Sequence, residues 1–169
     1  MAANIEVKAR VHDFDELRRR AELLSDTPCQ DIPQEDTFFY CPNGRLKLRE
    51  LSPECGQLVY YQREDVAGPK HSDYQIFEFD DPAGMKEILA QAFGVSGVVS
   101  KVRHLYRAGQ TRIHLDDVQG LGQFVELEVV LKPGQTDAEG QAIAESLMRK
   151  LGVQDQDLIA SAYLDLMEL

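Results

Sequence analysis

The side chains with the most chemistry in this 169-residue chain are basic and acidic groups set two apart. Residues two apart on a β-strand share a face. On that spacing Glu6, Lys8 and Arg10 fall together, with Ile5, Val7, Ala9 and Val11 opposite. Arg45, Lys47 and Arg49 align against Leu46, Leu48 and Glu50, and Tyr61 aligns with Arg63. Lys101 aligns with Arg103, Arg112 with His114 and Asp116, and Glu126 with Glu128. One such stripe is the wet side of an ordinary sheet. Five strands with Arg, Lys or Glu on one face and Ile, Leu or Val on the other imply a barrel turned inside out. Its lumen is polar, and its helices pack on the apolar exterior.

Crowded into a closed space of low effective dielectric, Lys8, Arg10, Lys47, Arg49, Arg63, Lys101, Arg103 and Arg112 repel one another. They call for an anion of high charge density. A triphosphate has the length and charge required, and arginine forks match phosphate oxygens. Glu6, Glu126 and Glu128 would be repelled by that phosphate unless a cation lay between them. Carboxylates beside phosphate point to Mg²⁺ or Mn²⁺. Asp116 either joins these metal ligands or fixes a neighbouring arginine. His114, in register with Arg112, is a candidate for phosphate binding or proton transfer. Lys8, Arg49, Arg63, Arg112 and His114 are expected to bear on catalysis. The sequence has no P-loop, Ser-His-Asp arrangement or G-x-G-x-x-G, so positioning and charge neutralisation would carry the chemistry.

The elements that must position these groups follow from pattern and caps. Residues 4–11 read as a strand. Asp13 opens a helix with Glu16 three residues on, and Phe14, Leu17, Ala21 and Leu24 form its apolar face. Residues 25–35, with Pro28 and Pro33, read as a loop. Residues 36–40 and 44–51 form a strand pair turning at Pro42-Asn43-Gly44. Residues 57–64 and 74–79 are further strands. Residues 65–73 are expected to be a mobile loop, from which Lys70 and Ser72 could close over a substrate.

Asp81-Pro82 starts a second helix, with Met85, Ile88, Leu89, Ala92 and Phe93 as its buried stripe and Gly94 as its stop. Strands 98–108, 111–118 and 122–131 follow. Thr136 and Glu139 make a capping box for a helix with Ile143, Leu147 and Leu151 on one side. Residues 155–168 read as a last amphipathic stretch. The expected class is α+β: an eight-stranded antiparallel barrel flanked by amphipathic helices, one domain over 1–169.

Composition narrows the function classes. Hydrophobic residues make up 43% and charged residues 28%, an ordinary globular mixture. The net charge of −11 argues against a nucleic-acid partner. No apolar run reaches the ~20 residues of a membrane helix. The N-terminus lacks the apolar core of a secretion signal, so a cytoplasmic protein is expected. Cys29, Cys41 and Cys55 form no C-x-x-C pair, and their spacing points to neither a zinc site nor a disulfide framework. His12, His71 and His104 fall in no constellation.

Several of these segments together resemble the CYTH superfamily, which includes class IV adenylyl cyclases, thiamine triphosphatases and inorganic triphosphatases. They are Ile5-Glu6-Val7-Lys8-Ala9-Arg10-Val11, Gly44-Arg45-Leu46-Lys47-Leu48-Arg49, Tyr60-Tyr61-Gln62-Arg63, Lys101-Val102-Arg103, Arg112-Ile113-His114-Leu115-Asp116 and Gly120 to Glu128. The resemblance implies an eight-stranded antiparallel tunnel, a basic wall, and a carboxylate-held metal at its mouth. It also implies a small-molecule triphosphate as partner; separately, a homodimer is the candidate assembly. The superfamily's E-x-E-x-K hallmark departs at one place: Lys8 and Glu6 fit, but Asn4 stands where the first glutamate belongs.

Overall fold

The computed structural model describes residues 2–168. Nine strands and four helices follow in the order β1 (Ala2–Arg10), α1 (Phe14–Leu24), β2 (Gln30–Phe39), β3 (Arg45–Ser52), β4 (Cys55–Arg63), β5 (Lys70–Phe79), α2 (Pro82–Phe93), β6 (Val95–Ala108), β7 (Thr111–Val118), β8 (Gly122–Val130), α3 (Asp137–Leu151), β9 (Leu158–Ile159) and α4 (Tyr163–Met167). The sheet order is β5-β4-β3-β2-β6-β7-β8-β1, and β1 pairs back onto β5, which closes an eight-stranded antiparallel barrel. The edge of β1 that faces β5 is shared. Ala2 to Glu6 pair with β5, whereas Lys8 and Ala9 pair with the two residues of β9.

The period-2 pattern decides which way the barrel faces. Ile5, Val7 and Ala9 of β1 are buried outside the lumen with Tyr106, Ile113, Leu115, Val125, Leu127 and Val129. Leu17 and Ala21 of α1, and Ala144, Leu147, Met148 and Leu151 of α3, complete this layer. The apolar core thus lies between barrel and helices. Both helices start as their residues dictate: the Asp13 side chain accepts from the Glu16 amide, and Thr136 and Glu139 form a reciprocal capping box. Gly152, with φ of 77°, closes α3 in the left-handed region. Gly44, with φ of 61°, makes the β2–β3 turn, where a Cβ would come within 2.8 Å of the Tyr60 ring.

Four expectations need correction. The stretch 25–35 is not all loop, because β2 begins at Gln30 and carries Pro33 opposite Val102. Proline is tolerated there because β2 pairs with β3 only from Glu35 onward, so at Pro33 it has a single neighbour. The stretch 65–73 is not all loop either. β5 begins at Lys70, and Lys70 and Ser72 are buried in the barrel wall. The apolar stripe of α2 is not buried: Ile88 is 65% and Phe93 48% exposed. This helix meets the barrel through Pro82, near Gly56 and Phe79, and through Lys86, whose Nζ lies 2.8 Å from Glu50. Finally, 155–168 is not one amphipathic element. It breaks into a 3₁₀ turn, the short strand β9, a bend and α4, because the backbone of Leu158 and Ile159 is recruited by β1.

The fit of α3 on β1 gives a test. Gly140 lies against the sheet, and a Cβ there would sit 2.6 Å from Ile5 Cγ1 and 2.7 Å from Leu131 Cδ2. Replacing glycine inside a helix ordinarily stabilises it, but overpacking reverses the sign. Gly140→Val is expected to lower the unfolding free energy by about 1–3 kcal/mol in urea titration. A stabilised variant would show that α3 is seated elsewhere.

Candidate functional site

The lumen-facing residues of the strands converge on one cavity of about 250 Å³. Its wall carries Lys8, Lys47, Arg49, Arg63, Lys101, Arg103, Arg107 and Arg112, eight cationic side chains, against four carboxylates, Glu6, Asp36, Glu126 and Glu128. His114 also lines it. Twelve of the thirteen residues expected to bind phosphate or metal or to bear on catalysis are accounted for here or directly behind the wall. Arg10 is the exception. It lies one step beyond Lys8, exposed at the strand end, with its guanidinium 5.3 Å from the Phe124 ring centroid.

The cations are not left to repel one another. Asp36, 1% exposed, takes a bidentate pair from Arg49 at 2.8 and 2.9 Å, with Lys47 and Lys101 each 3.3 Å from its Oδ2. Asp116 is fully buried and takes a second bidentate pair from Arg103, at 2.8 Å to each oxygen. Lys8 stands 3.6 Å from Glu126, Arg63 is 2.9 Å from Glu6, and Arg112 is 2.7 Å from Glu128. Burial opposes ionisation of Asp36, but Arg49, Lys101 and Lys47 overcome it and hold the carboxyl well below its usual range. Asp116 is likewise held low by Arg103 against the cost of burial. With Arg103 on both oxygens and the Tyr163 hydroxyl donating to Oδ2 at 2.7 Å, Asp116 braces the wall rather than joining the other acids.

Those other acids form a compact group. Glu6 is directly opposite Glu128 across β1 and β8, and Glu126 is opposite both Lys8 and His114. Ligand atoms of His114, Glu126 and Glu128 lie within 4.8 Å of one another. Burial, with Glu126 and Glu128 adding to it against Arg63, pushes the Glu6 carboxyl up to about 7. Burial and the Arg103 charge lower the His114 pKa. The His114 Nδ1 lies 3.3 Å from Glu126 Oε1 and its Nε2 4.0 Å from Glu128 Oε2. Carboxylates that crowd until one resists ionisation suit a divalent cation.

The buried Asn4 Oδ1 adds to this fit, because it faces the same cavity without a hydrogen-bond partner. Three lumen donors, Arg63 Nε, Arg112 Nε and Gln34 Nε2, are also unpartnered among the described residues. Free donors on the wall and a free acceptor beside the acids are what an anion and a cation bound together would satisfy.

The cavity is closed at one end by the C-terminal segment. Tyr163 enters the barrel and lies 5.0 Å from the Phe124 ring, with Lys8 Nζ 3.9 Å above its own ring and Lys101 Nζ at 5.1 Å. Lys70 Nζ donates to the carbonyl of Ala160 at 3.1 Å, and Arg45 pairs with Asp165 at 2.7 Å, so both flanks of the segment are tied down. The opposite end combines Arg107 and Arg112 with the apolar Ile32, Leu51, Ile76 and Leu105.

Four site residues were missed from the sequence. Arg107 extends the Lys101–Arg103 spacing by four and was there to be read. Gln34 was hidden by reading 25–35 as loop, and Asp36, the first residue of the expected strand, shows no basic partner at strand spacing to mark it. Tyr163 had no local signal, since its partners lie far away in the chain.

The CYTH domain matches residues 2–163. The chain belongs to the CYTH domain family. A Methanocaldococcus jannaschii protein named "Putative adenylate cyclase" is 22% identical, over 96% of this chain and 97% of that protein. The solved structure of a Pyrococcus horikoshii protein superposes with a TM-score of 0.79 at 28% identity, covering 96% of this chain and 98% of the other. A Hippeastrum protein described as a "putative adenylyl cyclase" with a dominant triphosphatase activity has the same fold, with a TM-score of 0.70 at 15% identity over 99% of this chain and 95% of that one. Among the described residues, no helix is long and apolar enough to cross a membrane.

Asp36 provides a test of the wall. Its folded pKa lies below the unfolded value of about 3.9. The stability it contributes is therefore complete above that value and is lost as pH falls through the lowered one. Asp36→Ala leaves Arg49, Lys47 and Lys101 facing one another and should cost about 3–5 kcal/mol in urea unfolding at neutral pH. The wild type should lose stability below about pH 4 more steeply than this variant. An unchanged urea midpoint would mean that the three cations are paired elsewhere.

Proposed function

We propose that this protein binds the triphosphate group of a small molecule in the tunnel and, with Mg²⁺ or Mn²⁺, cleaves it. The observation that carries the reading is the eight-to-four excess of cations over carboxylates inside an enclosed cavity, in a chain whose net charge is −11. The positive lumen is local and opposes the charge of the whole. A cavity of about 250 Å³ falls below the ~300 Å³ at which pockets for drug-sized ligands begin. It has room for the triphosphate and leaves any organic group at the mouth, beside Ile32, Leu51, Ile76 and Leu105.

Glu6, Glu126 and Glu128, with His114 and Asn4 beside them, are the residues that would hold the metal. When bound, it supplies charge neutralisation and polarisation at a phosphoryl oxygen. The chain does the rest. Lys47, Arg49, Lys101 and Arg103 hold phosphate oxygens deep in the tunnel. Arg63 and Arg112 each turn a free Nε toward the same anion. Lys8, between Glu126 and the Tyr163 ring, keeps a cation at the closed end. Hydrolysis is the simpler reaction for such a site, since it requires no nucleoside pocket, and the dominant triphosphatase activity of the Hippeastrum protein supports it. Cyclisation of ATP would use the same cradle with a ribose hydroxyl as nucleophile.

A second reading is favoured by one residue. Asn4 places a neutral amide where the superfamily hallmark has glutamate, so the chain could hold a polyphosphate without turning it over. Supplying ATP, tripolyphosphate and thiamine triphosphate with each metal separates the two. Release of phosphate or cyclic AMP, abolished by Arg49→Ala and by Glu126→Ala, is expected for the enzyme. Tight tripolyphosphate binding without product, and activity gained in Asn4→Glu, would select the binding module. Turnover undiminished in both alanine variants would remove the tunnel from consideration.

Protons should follow the anion. Burial pulls Lys101 down to about 7 and Lys70 down to about 8. A bound polyanion favours their charged forms and raises both values. Calorimetry near pH 8 in buffers of different ionisation enthalpy should therefore show proton uptake with tripolyphosphate, and affinity should rise as pH falls toward about 7. Proton release instead would mean that the lysines do not face the ligand.

A further inference from the structure

Cys29, Asp31 and His104 come together on the outside of the barrel, away from the tunnel. The β2–β6 register sets Asp31 directly across from His104. Cys29 precedes Asp31 by two residues, immediately before β2 begins. The Cys29 thiol and the His104 Nδ1 reach the same oxygen, Asp31 Oδ1, at 3.5 and 2.5 Å. One ligand atom from each side chain lies within 4.8 Å of the other two. The edge contact of Phe14, with ring centroids 5.8 Å apart at 64°, holds the His104 ring in place. Behind the group stands Tyr106, 1% exposed, beside Cys29 and Arg18, with a hydroxyl that has no hydrogen-bond partner among the described residues.

We propose that Cys29, Asp31 and His104 form a site for a thiophilic divalent ion, zinc above all, separate from the metal that the tunnel would use. Sulfur, imidazole nitrogen and carboxylate oxygen make up a zinc donor set. Three protein ligands leave a fourth position, and the 61% exposure of the Asp31 side chain opens it to water. Binding breaks the Cys29 S–H bond, forms a sulfur–metal bond and releases the proton to solvent. The His104 proton shifts to Nε2, which frees the Nδ1 lone pair. Thiolate and carboxylate together balance the ion's two charges. Arg18 disfavours ions held by charge alone, such as Mg²⁺ and Ca²⁺, and so favours those that bond to sulfur. An ion here ties the start of β2 to β6, and through Phe14 to α1.

The sulfur ligand makes the site separable from the tunnel group, which has none. Titration of the reduced protein with Co²⁺ should give a thiolate-to-cobalt charge-transfer absorption that saturates at one equivalent and is displaced by Zn²⁺. Cys29→Ser should abolish the band, and Asp31→Asn and His104→Gln should each weaken cobalt binding at least about tenfold. Combined Glu126→Gln and Glu128→Gln should leave it unchanged. Zn²⁺ should raise the melting temperature of the wild type and not of Cys29→Ser. No charge-transfer band in the wild type, or a band that survives Cys29→Ser and so reports Cys41 or Cys55, would overturn the assignment.

Discussion

Asp36 and Asp116 make the tunnel a stable object. Each sits in the wall with almost no solvent exposure and takes an arginine fork across both oxygens. Without them, Lys47, Arg49, Lys101 and Arg103 would be charges stranded in a space that cannot solvate them, at a cost of several kcal/mol for each ion. Their presence lets the fold keep a surplus of positive charge before any ligand arrives. The apolar core is free of this burden because it lies outside the barrel, where α1 and α3 close over the Ile, Leu and Val faces of β1, β7 and β8.

This division between a charged inside and a greasy outside also sets the electrostatics of approach. The chain as a whole is strongly acidic, so an incoming anion meets repulsion at long range and attraction only near the mouth, where Arg107 and Arg112 stand. Salt screens the long-range repulsion far more than the pull of Lys8, Lys101 and Arg103 deeper in the lumen, because those charges are buried.

Much of this architecture was legible because strand periodicity is rigid. Once Lys47 and Arg49 share a face, Leu46 and Leu48 must share the other, and the same logic applied to Lys8, Lys101, Arg112 and Glu126 gave the inside-out barrel. Failures came where tertiary pairing overrode a local sign. Pro33 looked like a loop residue, but its strand lacks a second neighbour at that point and tolerates it. Ile88 and Phe93 follow a helical stripe, yet α2 is held by Pro82 and by the Lys86–Glu50 pair and leaves them in solvent. Leu158 and Ile159 have helical spacing with Tyr163, but a free stretch of β1 captures their backbone. The pairing of Asp31 with His104 depends on the β2–β6 register across 73 residues, which no spacing rule reaches. The charged wall was written locally, strand by strand, whereas its closure by Tyr163 was not.

That closure turns a tube with two openings into a blind bore. Tyr163, wedged between Lys8 and Lys101 and hydrogen-bonded to Asp116, blocks through-traffic, so entry and exit share one doorway. Were a triphosphate cleaved there as proposed, the fragment lying deepest would depart last, waiting on anything in front of it. The order in which pieces leave is thereby imposed by the shape of the container rather than by how tightly each is held.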